Sequence, residues 1–190
     1  MNYSYFVDMY LQETQDIASI ISQEEIVKTI EILKQTKLNG GRLFILGVGG
    51  SAANASHAVN DFRKIAKIEA YAPTDNVSEL TARTNDEGWD TTFVEWLKIS
   101  NLSEKDTVMI LSVGGGSLVT SANIVKALDY AYYKNASIIG IVSRNGGYTK
   151  VMSDACILIP VVNTYLITPH AEGWQGIVWH LIVNALKEEE

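Results

Sequence analysis

The sequence predicts a doubly wound α/β domain, with a five-stranded parallel sheet behind an N-terminal helical segment. Three observations lead there. Five short apolar runs recur along the chain: LFILGV (43–48), IEAYA (68–72), TVMILSV (107–113), SIIGIV (137–142) and ACILIP (155–160). Helical patterns lie between most of them, and such alternation argues for a parallel sheet covered on both faces. Three of the runs end in a glycine-rich turn that holds a serine: GVGGS, SVGGGS and SRNGG. The 190 residues suit one domain, and 47% hydrophobic residues suffice for a core without staples. The expected organisation is a single domain, 1–190, made of a helical segment (3–38) and an α/β core (42–186).

The elements follow in order. Across 3–38, apolar residues recur at spacings of three and four, from Phe6, Met9 and Tyr10 through Ile17, Ile20 and Ile21 to Ile26, Ile30 and Leu33. Ser22 followed by Glu25 resembles a capping box, which predicts two helices jointed near Ile21. Asn39-Gly40-Gly41 stops the second. The run 43–48 is the first strand, and a helix opens after GVGGS. A helical stretch from about Leu118 to Lys134 follows the third strand. The C-terminal segment TPHAEGWQGIVWHLIVNAL (168–186) carries the apolar stripe Ile177, Val178, Leu181, Ile182 and Ala185, which predicts a buried helix.

Composition removes some function classes. A net charge of −7 gives no overall basic surface for nucleic acid, whose affinity rests on phosphate neutralisation. No apolar run approaches the roughly 18 residues of a membrane span. The one cysteine, Cys156, lies in an apolar run and reads as a core residue. Its solitude fits a reducing cytosol. The opening MNYSYFVDMY lacks a basic region followed by an apolar stretch, so no secretory leader is expected. The expected location is cytoplasmic, with neither membrane nor nucleic acid as partner.

Ligands of open parallel sheets bind outside the C-terminal strand ends. Glycine turns there let backbone N–H groups approach an anion beside a helix N-terminus. Glycines can also merely close tight turns. Three such turns on one edge favour a phosphate or sugar-phosphate site. Ala52 breaks the G-x-G-x-x-G spacing and no G-x-x-x-x-G-K-[ST] occurs, so a single phosphate on a small molecule fits better than a dinucleotide. His57 and Asp61, four residues apart, share one helix face and could form half a metal site or a solvated pair. Glu172 and His180 lie on the C-terminal helix, where His180 could instead be a satisfied core histidine.

GVGGSAANASHAVND resembles the signature of the phosphoheptose isomerases, small single-domain members of the sugar isomerase (SIS) family. Their usual form is close to G-N-G-G-S-A-A-D-A-x-H-x-x-x-E. LTARTND (80–86) resembles their L-T-A-x-x-N-D segment, and SVGGGS their S-T-S-G-N-S loop. The helix ending at His180 is similar to their closing helix, which carries a Gln and, eight residues on, a His. The resemblance runs from about residue 5 to residue 186. It implies a flavodoxin-like, doubly wound SIS fold assembled as a homotetramer. It implies conversion of sedoheptulose 7-phosphate to D-glycero-D-manno-heptose 7-phosphate, using zinc. Gly49, Gly50 and Ser51 would line the phosphorylated sugar, and Asn85 and Asp86 would contact it. Ser112 and Ser117 would bind phosphate, with N–H groups from Gly114 to Gly116. His57, Asp61, Glu172 and His180 would hold the metal. Asp61 and His180 would be the acid–base pair, with Glu172 as the alternative carboxylate.

The chain departs from the family at several of these positions. Val48 replaces an Asn, Asp61 a Glu, and Glu172 a Gln. Gly114 and Gly116 replace a Ser and an Asn of the phosphate loop. These losses leave open a non-catalytic SIS module that binds a sugar phosphate or a protein. In a straight helix Glu172 and His180 would stand about 12 Å apart along the axis. Either the helix breaks near Gly173 and Gly176, or the two ligands come from different subunits.

Overall fold

The computed structural model describes residues 2–187. Two helices, α1 (Tyr3–Ile20) and α2 (Gln23–Leu38), precede the sheet. The Asn2 side chain caps α1 by accepting from the N–H groups of Ser4 and Tyr5. The joint falls at Ile21, as the pattern predicts. Ser22 caps α2 through the N–H of Glu25. Only half of a capping box forms, because the Glu25 carboxylate instead accepts from the N–H of Cys156 at 2.8 Å. That bond ties α2 to the sheet edge.

The core then alternates: β1 (Leu43–Gly47), α3 (Gly50–Lys64), β2 (Ala70–Tyr71), α4 (Val77–Asp86), α5 (Thr92–Ile99), β3 (Thr107–Ser112), α6 (Ala122–Tyr133), β4 (Ser137–Val142), α7 (Gly147–Met152), β5 (Ala155–Leu158) and α8 (Ile167–Ala185). The sheet runs β2-β1-β3-β4-β5 and every pairing is parallel. β1 and β3 are buried along their whole length, the mark of a sheet covered on both faces. Alternate residues enter two separate cores. Leu43, Ile45, Met109, Leu111, Ile139 and Ile141 pack with α2, α3 and α8. Phe44, Leu46, Val108, Ile110 and Ile138 pack with α5 and α6.

Two expected boundaries move. The second strand shrinks from 68–72 to two residues at the sheet edge. The helix expected from Leu118 starts at Ala122. Residues 117–120 close on themselves instead: the Ser117 N–H donates to the Thr120 carbonyl (2.8 Å), and the Thr120 N–H to Ser117 Oγ (3.0 Å). Ser121 then takes a left-handed conformation (φ +61°) before the first turn.

The bottom of the sheet, away from the glycine turns, is tied by Asp106 just before β3. Its buried carboxylate accepts five hydrogen bonds, from the backbone N–H, Nε and Nη2 of Arg42 and from the N–H and Oγ of Ser103. Burial pushes its carboxyl upward, but the hydrogen bonds from Arg42 and Ser103 outweigh that and hold it below 3.8. A depressed carboxyl contributes stability above its unfolded value and loses it as pH falls through the folded one. Asp106→Ala is therefore expected to cost about 3 kcal/mol in urea unfolding near neutral pH. The gap between variant and parent should narrow as the pH falls below about 4.

Candidate active site

The serine turns gather at the C-terminal end of the sheet. A cavity of about 490 Å³ opens there, lined by Val48 and Ser51 after β1, by Ser112, Val113, Gly114, Gly116, Ser117, Thr120 and Ser121 after β3, by Arg144 after β4, and by Thr168 at the start of α8. Four expected residues line it: Ser51, Ser112, Gly114 and Ser117. Gly49 and Gly50 sit at its edge, where Gly49 (φ +65°) turns the chain into α3. Asn85 and Asp86 are not brought to it. They end α4 on the surface, where Asn85 Nδ2 donates to Asp86 at 2.7 Å.

The glycines after β3 and β4 serve each other. A Cβ on Gly115 would lie 1.9 Å from the Gly146 carbonyl oxygen, and one on Gly147 would lie 2.2 Å from that of Gly114. The Gly116 and Gly115 carbonyls accept from the N–H groups of Tyr148 and Thr149, and Thr149 Oγ1 also donates to Gly115. The glycines of SRNGG let two loops interlock. The loop after β3 also uses some of its own donors. The Gly115 N–H donates to Ser112 Oγ at 3.0 Å, so it does not point free toward a ligand.

A second cluster lies further along α3. His57 and Asp61 face His180 of α8, and one ligand atom from each lies within 4.8 Å of the others. Asp61 is buried, whereas both histidines are exposed. Asp61 Oδ2 stands 3.7 Å from His57 Nε2 and 3.6 Å from His180 Nε2, and its other oxygen accepts from Asn60 Nδ2 at 2.8 Å. His180 Nδ1 lies 2.6 Å from the Gly176 carbonyl oxygen. A carbonyl only accepts, so this bond takes a proton on Nδ1, and in the neutral ring it leaves the Nε2 lone pair on the side of Asp61. The Trp179 ring stacks on His180 and meets His57 edge-on, which orients both imidazoles. Two imidazoles and one carboxylate in this arrangement suit a divalent transition metal, zinc among them.

Glu172 does not join this cluster within one chain. α8 runs unbroken from Ile167 to Ala185, so Gly173 and Gly176 do not break it, and the eight-residue separation persists. The Glu172 carboxylate lies against Gly50 instead, at the first turn of α3 and beside the cavity. Asn54 Nδ2 locks this contact by donating to the Glu172 carbonyl (2.9 Å) and to Gln175 Oε1 (3.0 Å). The cluster residues do not line the cavity. At the helical rise, His57 lies about 9 Å and Asp61 about 15 Å beyond Ser51 along α3.

Glycine turns at one sheet edge thus stand with a His–Asp–His cluster, two of its members on the helix after the first turn and the third on α8. Residues 9–143 match the SIS domain family. The chain belongs to that family. It is 32% identical over 192 residues to the phosphoheptose isomerase of Syntrophotalea carbinolica, covering 96% of this chain and 93% of that one. The solved structure of phosphoheptose isomerase from Neisseria gonorrhoeae superposes with a TM-score of 0.83 at 25% identity, over 97% and 98% of the two chains. The one from Francisella tularensis superposes with a TM-score of 0.85 at 19% identity over 98% of each, a likeness of fold. Within the SIS family, the chain is thus grouped with isomerase enzymes.

Sequence reasoning missed Thr120, Ser121, Arg144 and Thr168 as cavity residues. The turn SRNGG drew notice for its glycines, not for its arginine. Among the described residues no helix is long and apolar enough to cross a membrane.

Proposed function

We propose that this chain interconverts a ketose phosphate and an aldose phosphate, and that its substrate is sedoheptulose 7-phosphate, converted to D-glycero-D-manno-heptose 7-phosphate. The observation that carries this reading is the His57–Asp61–His180 cluster, which keeps a buried carboxylate beside an imidazole of fixed tautomer. Moving a carbonyl from C2 to C1 requires a base that removes a proton from C1 and an acid that returns one at C2. Asp61 supplies the carboxylate and His180 the imidazole for these transfers. His57, Asp61 and His180 suit zinc, which when bound would act as a Lewis acid toward the sugar carbonyl. The hydroxyl-rich cavity holds the distal phosphate, and so orients the sugar without taking part in the proton transfers.

The separation of cavity and cluster along α3 supports a site completed between copies of the chain. One copy would then supply the cavity and Glu172, and a neighbour the cluster. That resolves the spacing of Glu172 and His180 in an unbroken helix, with Glu172 as the fourth metal ligand. The exposed apolar residues of α1, including Tyr3, Tyr5, Val7 and Leu11, supply a surface for the homotetramer this requires. A cytoplasmic location fits a phosphorylated metabolite and a single unpaired cysteine.

The test is a substrate panel with zinc-supplied protein: sedoheptulose 7-phosphate, a hexulose 6-phosphate and unphosphorylated sedoheptulose, each followed for loss of ketose. Turnover of the heptulose phosphate above the others is expected. A folded oligomer that turns over none of them would be a binding module instead.

A further inference from the structure

We infer that Arg144 is the cation that binds the phosphate of the substrate, standing in for the polar side chains absent at Gly114 and Gly116. The inference rests on the sugar-phosphate reading of the cavity and adds a residue to it. Among the described residues that line the cavity, Arg144 is the only charged one, and the Glu172 carboxylate lies outside that lining, against Gly50. Its polar neighbours there are hydroxyls: Ser51, Ser112, Ser117, Thr120, Ser121 and Thr168. A guanidinium among hydroxyls, in a chain of net charge −7, selects an anion with several acceptor oxygens.

Two further observations separate this from a chance surface arginine. Among the described residues, Arg144 makes no ion pair, whereas Arg42 and Arg83 pair with carboxylates. Its side chain is therefore uncommitted. Its backbone is left-handed, at φ +56°, where glycine or asparagine fits with less strain. The turn thus gives no reason of its own for an arginine. The interlock described above fixes the position: the Gly146 N–H closes the turn on the Ser143 carbonyl at 3.0 Å, and α7 packs its first turn onto the loop after β3. Arg144 is carried on the same rigid unit as Ser112 and Ser117.

The loop after β3 needs such help. Gly114 and Gly116 offer no side chain, the Gly115 N–H is held by Ser112, and Ser117 is held by Thr120. Hydroxyls alone leave a dianion uncompensated in charge. One guanidinium supplies up to two parallel hydrogen bonds and a full positive charge.

The experiment measures binding directly by calorimetry, with inorganic phosphate and with sedoheptulose 7-phosphate, for the parent chain, Arg144→Gln and Arg144→Lys. Loss of one charge-assisted contact predicts a 10- to 100-fold weaker affinity for both ligands in Arg144→Gln, about. Arg144→Lys should recover part of it, and the parent affinity should fall with added salt. Circular dichroism controls for folding, and the exposed side chain gives no cause for misfolding. Unchanged affinity in Arg144→Gln would overturn the inference, as would a parent chain that binds neither ligand. A parent that binds phosphate through Arg144 but turns over no sugar phosphate would sustain the inference and sink the isomerase reading alone.

Discussion

His180→Ala is expected to lower kcat for the heptulose phosphate by about a thousandfold, the range lost with a positioned acid–base group. The variant should still fold, because the His180 side chain is 48% exposed and contributes little to the core. Asp61→Asn should be equally damaging. It keeps the shape of the side chain but removes the charge facing both imidazoles. His57→Ala separates the two roles proposed for the cluster. His57 serves only to hold metal in this account, so excess zinc should restore part of its activity. Excess zinc should restore none in Asp61→Asn, since that residue also moves the proton. Steady-state kinetics across a zinc titration, with a melting curve for each variant, checks the set.

Gly115→Ala is expected to be strongly destabilising for a single added methyl group. The added carbon would meet the Gly146 carbonyl oxygen at 1.9 Å and the Gly146 carbonyl carbon at 2.5 Å. Both are backbone atoms, so no side chain can swing away. The position also holds φ +73°, which an alanine adopts only with strain. Relief requires the loops after β3 and β4 to part, which breaks the bonds from Tyr148 and Thr149 to the glycine carbonyls. A loss of about 3 kcal/mol or more follows, equivalent to a drop of roughly 6–12 °C in Tm for a chain of this length. Phosphate affinity should fall with it, because Arg144 and Ser112 lose their common support. Gly114→Ala is the control: its Cβ would meet nothing within 4 Å and its φ is ordinary, so its Tm should change by about 2 °C or less. Differential scanning calorimetry on the pair distinguishes a steric interlock from general loop sensitivity.

Much of the fold was legible where apolar runs are buried on both faces, whereas on α8 the expected buried stripe is exposed at Ile177, Leu181 and Ala185 in the single chain. β1 and β3 are buried on both faces and read as unbroken apolar runs; the boundaries that slipped belong to elements without that signal. β2 is an edge strand of two residues, and the start of α6 depends on how Ser117 and Thr120 bond to each other, which spacing does not encode. The site was legible in part for a similar reason. His57 and Asp61 are one helical turn apart, so their shared face follows from the sequence alone. Their meeting with His180 depends on α3 and α8 packing side by side, which the motif resemblance supplied and periodicity did not. Asn85 and Asp86 show the opposite case. The motif carried them toward the sugar, but within one chain they end α4 away from the cavity. Arg144 escaped because a lone arginine in a glycine turn has no pattern; only the cavity gives it a role. The glycines of SRNGG form the contact between two loops, which their spacing alone does not reveal.

The most direct measurement is a proton NMR time course of the purified chain with sedoheptulose 7-phosphate and zinc in D2O. The expected product is an aldoheptose 7-phosphate that carries solvent deuterium at C2, since Asp61 and His180 exchange with solvent between taking and returning the proton. Folded, zinc-supplied protein that forms no aldose would contradict it.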